Sequence, residues 1–138
     1  MDMTAFEHPS LSHPANLQAF ETCITAALQL LAAMKYAPMF SQARPSPELL
    51  LEYVEALERQ AREIALLDGN AGVDILALGQ DWYTRLRGSG LSALMAGFEG
   101  VHAAAYLGLA GGTTSAMMLA ATACAVHSVA DEQGRLLN

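Results

Sequence analysis

Apolar residues recur along this chain with the period of an α-helix. Between residues 15 and 36 they return at spacings of three and four, which is the pattern of an amphipathic helix. Pro38 stops this helix, and Ser46 followed by Pro47 marks the start of a second one. The remaining pattern predicts helices at about 47–67, 71–87, 91–110 and 115–130. The apolar stripe of the first helix consists of Leu17, Phe20, Ile24, Leu28, Leu31 and Met34.

The sequence shows no sustained alternation of β-branched and polar residues of the kind that marks a strand. We therefore predict an all-α protein, a five-helix up-and-down bundle with a tightly packed C-terminal helical hairpin. Residues 1–14 are predicted to be a flexible or lightly docked N-terminal arm, and residues 15–138 a single helical-bundle domain. From residue 131 onward we expect a polar and then apolar tail outside the last helix.

Small residues at four-residue spacing are the most distinctive feature of the predicted hairpin. Residues four apart lie on one face of a helix, so such a row lets another helix approach closely. We expect two of these rows to face each other and to provide a partner interface at Ala96, Gly100, Ala104, Gly108, Ala116 and Ala120. Gly108→Leu should then overfill the contact. The full rows are Ala96, Gly100, Ala104, Gly108 and Gly112, and Ala116, Ala120, Cys124 and Ser128.

The composition is poor in charge. Charged residues make up 15% of the 138 residues, against about 25% in an average domain. Two explanations follow: another subunit or a ligand covers part of the surface, or small neutral residues (Ala, Gly, Ser, Thr) share the face exposed to solvent. We favour the first, because exposed apolar patches usually mark interfaces. The net charge is −7 with a single lysine, which argues against binding to a nucleic-acid backbone.

The sequence also predicts a cytoplasmic location. The first 14 residues lack the basic and apolar regions of a secretory signal, and the two cysteines are expected to be reduced, buried thiols. Residues 100–130 are long enough to span a membrane. The Gly111-Gly112 break and the acidic flanks argue against that interpretation.

Glu99 and His102 have the Glu-x-x-His spacing that bundles with two-metal carboxylate sites use on paired helices. Such a site needs two copies and two further carboxylates, whereas the sequence contains one copy. Glu99 and His102 are therefore weak metal candidates, and we expect no metal and no cofactor. The Gly-x-Ser-x-Gly and phosphate-loop motifs are also missing, so no catalytic residue is assigned.

A single His102 on a helix, followed ten residues later by Gly112 and another helix, resembles the arrangement in histidine phosphotransfer domains. The resemblance covers about residues 91–130 and implies that His102 carries a phosphoryl group. Those domains place a lysine and a glycine three and four residues after the histidine. Ala105 and Tyr106 occupy these positions here.

Three functions follow from these observations. The leading prediction is a small, non-enzymatic interaction or regulatory module, a homodimer that binds itself or a partner protein through the fourth and fifth helices. The alternative is a binder of an apolar small molecule or acyl chain held between the first, fourth and fifth helices. Its candidate contacts are Phe98, His102 and Tyr106. The third hypothesis is a metal or phosphotransfer site at Glu99 and His102.

Overall fold

The computed structural model describes the backbone of residues 9–40 and 43–137 and the side chains of residues 11–40 and 43–133. This part of the chain contains five α-helices and no strand, which confirms the predicted all-α bundle. The helices are α1 (Pro14–Tyr36), α2 (Pro47–Leu67), α3 (Ile75–Gly88), α4 (Ala93–Leu107) and α5 (Thr113–Leu137).

Helix α5 lies at the centre of the bundle, and α2, α3 and α4 pack around it. Helices α2 and α5 are antiparallel. Asp68 at the end of α2 accepts a hydrogen bond from the amide of Thr113 at the start of α5 (2.8 Å). At the other end, Gln133 donates from Nε2 to the carbonyl of Pro45 just before α2 (2.6 Å).

Helix α1 packs mainly on α4, at the outside of the bundle. Leu31 lies next to Gly97, and Nζ of Lys35 lies 5.8 Å from the ring centre of Phe98. The short 3₁₀ helix before α1, Pro9–Ser12, contacts the one that follows α4. These contacts make α1 antiparallel to α4, in keeping with an up-and-down arrangement.

Side-chain caps mark the beginnings of α2, α3 and α4. Ser46 Oγ accepts from the amide of Leu49 at the start of α2 (3.2 Å), as the sequence predicts. Ser92 caps α4 in the same way. Helix α3 begins at Ile75 and not at Ala71, because Asp74 accepts from the amide of Ala77 and so acts as its N-cap (3.2 Å).

The boundaries of the C-terminal hairpin also differ from the prediction. Helix α4 ends at Leu107 because Gly108 has φ of 70°, a left-handed conformation that terminates the helix. A short 3₁₀ helix, Leu109–Gly111, leads to α5. The expected tail after Ala130 is wrong, since α5 continues to Leu137. The additional turns of this helix include charged residues such as Asp131, whose side chain is exposed to solvent.

Residues 1–8 of the predicted N-terminal arm lie outside the described residues. The part that follows is docked on the bundle, because Leu11 is buried in the core. The core joins all five helices, with Ile75 contributed by α3, and its largest fully buried side chains include Leu31, Leu50, Leu57, Ile64 and Leu119.

Two described segments are long and apolar enough to cross a membrane. These are Pro14–Phe40, with a mean hydropathy of 1.3, and Thr113–Gln133, with 1.2. The second segment is mostly buried as the central helix of the bundle, and core helices commonly meet this criterion. The first segment is only 33% buried, so much of the surface of α1 has no partner among the described residues.

Candidate functional site

The predicted close packing of the C-terminal hairpin is present at Gly100. A Cβ atom at this position would lie 2.6 Å from Oγ1 of Thr122 and 3.1 Å from the carbonyl oxygen of Met118. The Thr122 hydroxyl donates to that same carbonyl (2.8 Å). Glycine therefore lets the backbones of α4 and α5 come together so closely that a larger residue would force Thr122 to shift.

The second row of small residues does not face α4. Ala120 packs against Gly79 of α3, where a Cβ atom would lie 2.7 Å from the Ala120 carbonyl carbon and 2.8 Å from the Ala121 nitrogen. Further along α5, Ser128 accepts a hydrogen bond from the hydroxyl of Tyr83 (2.8 Å). The expectation that the two rows face each other is therefore wrong. Helix α5 has small residues on several sides because three helices surround it.

The residues predicted to form a partner interface lie inside the bundle. All of them except Gly108 are buried against helices of the same chain, which leaves them no outer surface: Ala96, Gly100, Ala104, Ala116 and Ala120. Gly108 is half-buried, and a Cβ atom there would meet nothing within 4 Å. Gly108→Leu would therefore act through backbone strain at φ of 70°, and not by overfilling a contact.

Phe98, His102 and Tyr106 lie along the outer face of α4. The rings of Phe98 and His102 are 6.0 Å apart, and Lys35 of α1 lies over Phe98. The side chain of His102 is exposed, and Tyr106 is 91% exposed. His102 and Tyr106 therefore point to solvent, whereas Phe98 is half-buried against the core. His102 and Tyr106 thus do not face a space between α1, α4 and α5, where the sequence placed an apolar ligand.

Glu99 lies next to His102 on α4, and both side chains are exposed. Within the described residues, no group of three or more His, Cys, Asp or Glu side chains could hold a metal ion together. The ring of His102 lies beside the ring of Phe98. The candidate groups near this histidine within the described residues are therefore the Glu99 carboxylate and an aromatic ring.

A groove between α1 and α2 is a concave surface that the sequence did not predict. Its volume is about 620 Å³. It exists because α1 packs on α4, which leaves the side of α1 that faces α2 open. The groove is lined on α1 by Ala15, Gln18, Ala19, Thr22, Cys23, Ala26 and Ala27, and on α2 by Tyr53, Ala56, Leu57, Arg59, Gln60 and Glu63.

The groove is suited to binding and offers no activated nucleophile. Buried Ala27 and Leu57 form its floor, and Arg59 and Glu63 are the charged residues in its lining. Burial raises the pKa of the Cys23 thiol to about 11, so the thiol is protonated and unreactive at neutral pH. A partner in this groove would gain mainly from apolar contact and from hydrogen bonds at the rim.

One sequence signal for this groove was available. Ala15, Ala19, Cys23 and Ala26 form a further row of small residues at spacings of four and three, on the first helix. The larger apolar residues of that helix give a stronger pattern than this row, because Phe20 and Ile24 lie on the face that enters the core.

A polar cluster joins the end of α2 to the start of α5. Asp68 Oδ2 accepts from both the amide and the hydroxyl of Thr113, at 2.8 Å and 2.6 Å. Asn70 donates from Nδ2 to Oγ1 of Thr113 (2.6 Å). Gly112 completes the cluster, since a Cβ atom there would lie 2.6 Å from Cγ of Asp68. The cluster closes the bundle at one end and has a structural role.

Comparison with protein families, with characterised proteins and with solved structures finds no match to this chain. The basis for inferring function is therefore the shape of the groove and the chemistry of the residues that line it.

Proposed function

We propose that this protein is a non-enzymatic interaction module that binds an α-helical partner in the groove between α1 and α2. The groove itself carries the proposal. Its two walls are antiparallel helices, and a helix that lies along such walls is a recurrent mode of protein recognition. The module is proposed to act in the cytoplasm, where Cys23 and Cys124 remain free thiols.

The surface of α1 favours a helical partner. Between Pro14 and Met34 the only charged residue is Glu21, although much of this face is exposed. Covering it therefore removes few charges from water. Small side chains such as Ala19 allow another helix to approach closely, and each Å² of apolar surface buried contributes about 25 cal/mol.

A second candidate occupant is an apolar small molecule or acyl chain. The groove volume of about 620 Å³ favours it, since small-molecule sites typically have volumes of about 300–1,000 Å³. Tyr53, Gln18 and Gln60 line this groove and would provide the polar contacts. The candidate polar contacts are thus these three residues, and not His102 and Tyr106, which the sequence suggested for that role.

Alkylation of Cys23 tests the proposal, because this thiol lines the groove. The Cys124→Ser variant leaves Cys23 as the one thiol to be measured. The alkylation rate at pH 9 is compared across a hundredfold range of protein concentration, before and after extraction with organic solvent. A helical partner that is another protein molecule protects Cys23 at high concentration and releases it on dilution.

A retained apolar ligand gives a different result. Protection then persists on dilution, disappears on extraction, and is accompanied by a mass excess in native mass spectrometry. A rate that is the same at every concentration and after extraction would contradict both candidates. Ala56→Trp, which fills the groove, should abolish the concentration dependence, whereas the control Ala77→Trp on the exposed side of α3 should keep it.

A further inference from the structure

We infer that the helical partner is a second copy of this chain, whose α1–α2 face covers the groove, with α2 of one subunit antiparallel to α2 of the other. In this arrangement Arg59 pairs with Glu63 of the partner subunit, and the symmetry forms the pair twice. The inference rests on the proposed function of the groove and names its occupant.

The charges at the rim of the groove are self-complementary. Arg59 and Glu63 are four residues apart on one exposed edge of α2, and both line the groove. The ion pairs within the described residues are Arg85–Asp81 and His127–Asp131, so neither Arg59 nor Glu63 belongs to one. A two-fold axis that lies between the two α2 helices, at right angles to them and level with the midpoint between Arg59 and Glu63, brings Arg59 of each subunit opposite Glu63 of the partner subunit.

The same axis places α1 antiparallel to α1 of the partner subunit. The exposed α1 residues that line the groove are neutral and small or polar, such as Ala15, Ala19 and Thr22, and the acidic residue beside them is Glu21. This matters because each chain carries a net charge of −7, which opposes association wherever acidic residues meet. Electrostatic repulsion between the two subunits is therefore weakest on the α1 side of the groove.

The available area suits a stable dimer. At 1.5 Å per residue, the 23 residues of α1 extend about 34 Å and the 21 residues of α2 about 31 Å. Two such helices lying side by side present a face of about 600 Å² in projection, given a spacing of about 10 Å. The accessible surface of this uneven face is larger, and a standard interface buries about 800 Å² from each partner.

Charge reversal at the two residues tests the inference. The molar mass of the wild-type protein is followed by light scattering during dilution, and we expect a dimer that dissociates to a monomer. Arg59→Glu and Glu63→Arg should each weaken the dimer at least about tenfold, because each places like charges opposite one another at two symmetric points. The double variant, which restores opposite charges at both points, should have a dimer dissociation constant within about threefold of that of the wild type.

The pair of reversals separates a specific contact from the effect of net charge. If only net charge mattered, Glu63→Arg would strengthen the dimer and Arg59→Glu would weaken it. Arg62→Glu provides a matched control, since Arg62 is exposed on the same helix but lines the turn between α2 and α3 and not the groove. It should change the dissociation constant less than threefold.

Several outcomes would overturn the inference. A wild-type monomer at all concentrations, or reversals that leave the dissociation constant unchanged, rules out this dimer. If the reversals leave the dimer unchanged but Cys23 is still protected at high concentration, the groove binds the second copy in another arrangement and the proposed function stands. If the protein is a monomer and Cys23 is protected until extraction, the groove holds an apolar ligand and not a helix. If Cys23 is never protected, the inference and the proposed function fail together.

Discussion

Asp68 lies at the end of α2, but its carboxylate caps α5. It accepts from the amide and the hydroxyl of Thr113, at the positive end of the α5 dipole. We expect Asp68→Ala to lower the free energy of unfolding by about 1–3 kcal/mol, because the half-buried Thr113 groups lose their acceptor. Urea denaturation followed by circular dichroism measures this change.

Asp74→Ala is the matched control for Asp68→Ala. Asp74 also caps a helix, but its bond to the amide of Ala77 is local and exposed. We expect this variant to lower the free energy of unfolding by about 1 kcal/mol or less. If Asp68→Ala lowers the free energy of unfolding no more than Asp74→Ala does, the hydrogen bonds between Asp68 and Thr113 do not stabilise the protein beyond an ordinary helix cap.

Cys23 allows a second prediction for a single residue. Burial raises its pKa from 9.0 to about 11, since the thiolate is poorly solvated in the groove. At pH 8 the folded protein should therefore contain roughly a hundredfold less Cys23 thiolate than the unfolded protein. We expect the alkylation rate of Cys124→Ser to rise with pH toward a midpoint near 11 when folded and near 9 in urea. A folded midpoint near 9 would show that the groove does not desolvate this thiol.

At the scale of elements, the contact between α3 and α5 depends on Gly79. A Cβ atom there would meet backbone atoms of Ala120 and Ala121 at 2.7–2.8 Å, and backbone cannot move aside as a flexible side chain can. We expect Gly79→Ala to destabilise the protein by about 1–3 kcal/mol. Gly88→Ala on the same helix meets nothing within 4 Å and should be neutral or stabilising by up to about 1 kcal/mol. Equal melting temperatures for the two variants would contradict this contact.

The elements also show what the sequence determines locally. Ser46 and Pro47 predict the start of α2 because capping depends on neighbouring residues alone. The direction in which the small residues of α5 face is not local. Ala120 meets α3 and Thr122 meets α4, and both lie on a helix that is small or apolar nearly all round. Periodicity identifies such a helix as central but does not tell which neighbour meets each face.

At the scale of the whole molecule, the sequence predicts the bundle but not the candidate site. The number of helices and their approximate bounds follow from the apolar pattern and from Pro38, Ser46 and the glycines. The groove instead results from where α1 packs, because its contact with α4 leaves the side toward α2 open. That choice depends on long-range contacts such as Leu31 with Gly97, which the spacing of apolar residues does not specify.

This peripheral packing of α1 predicts an uneven distribution of stability. Helix α5 is surrounded by α2, α3 and α4, whereas α1 packs mainly on α4. Regions with fewer buried contacts open at lower free energy. In hydrogen-exchange mass spectrometry of the Arg59→Glu variant, diluted until light scattering shows a monomer, we expect peptides from α1 to exchange well before peptides from α5.

The concentrated wild-type protein should behave differently. If α1 lies in a dimer interface, its amides gain protection with increasing protein concentration, because opening then requires dissociation. The amides of α5 should change little, since their exchange depends on opening of the central bundle. Protection of α1 that equals that of α5 in the monomeric variant would contradict its peripheral position. Protection of α1 that does not depend on concentration in the wild-type protein would contradict its place in the interface.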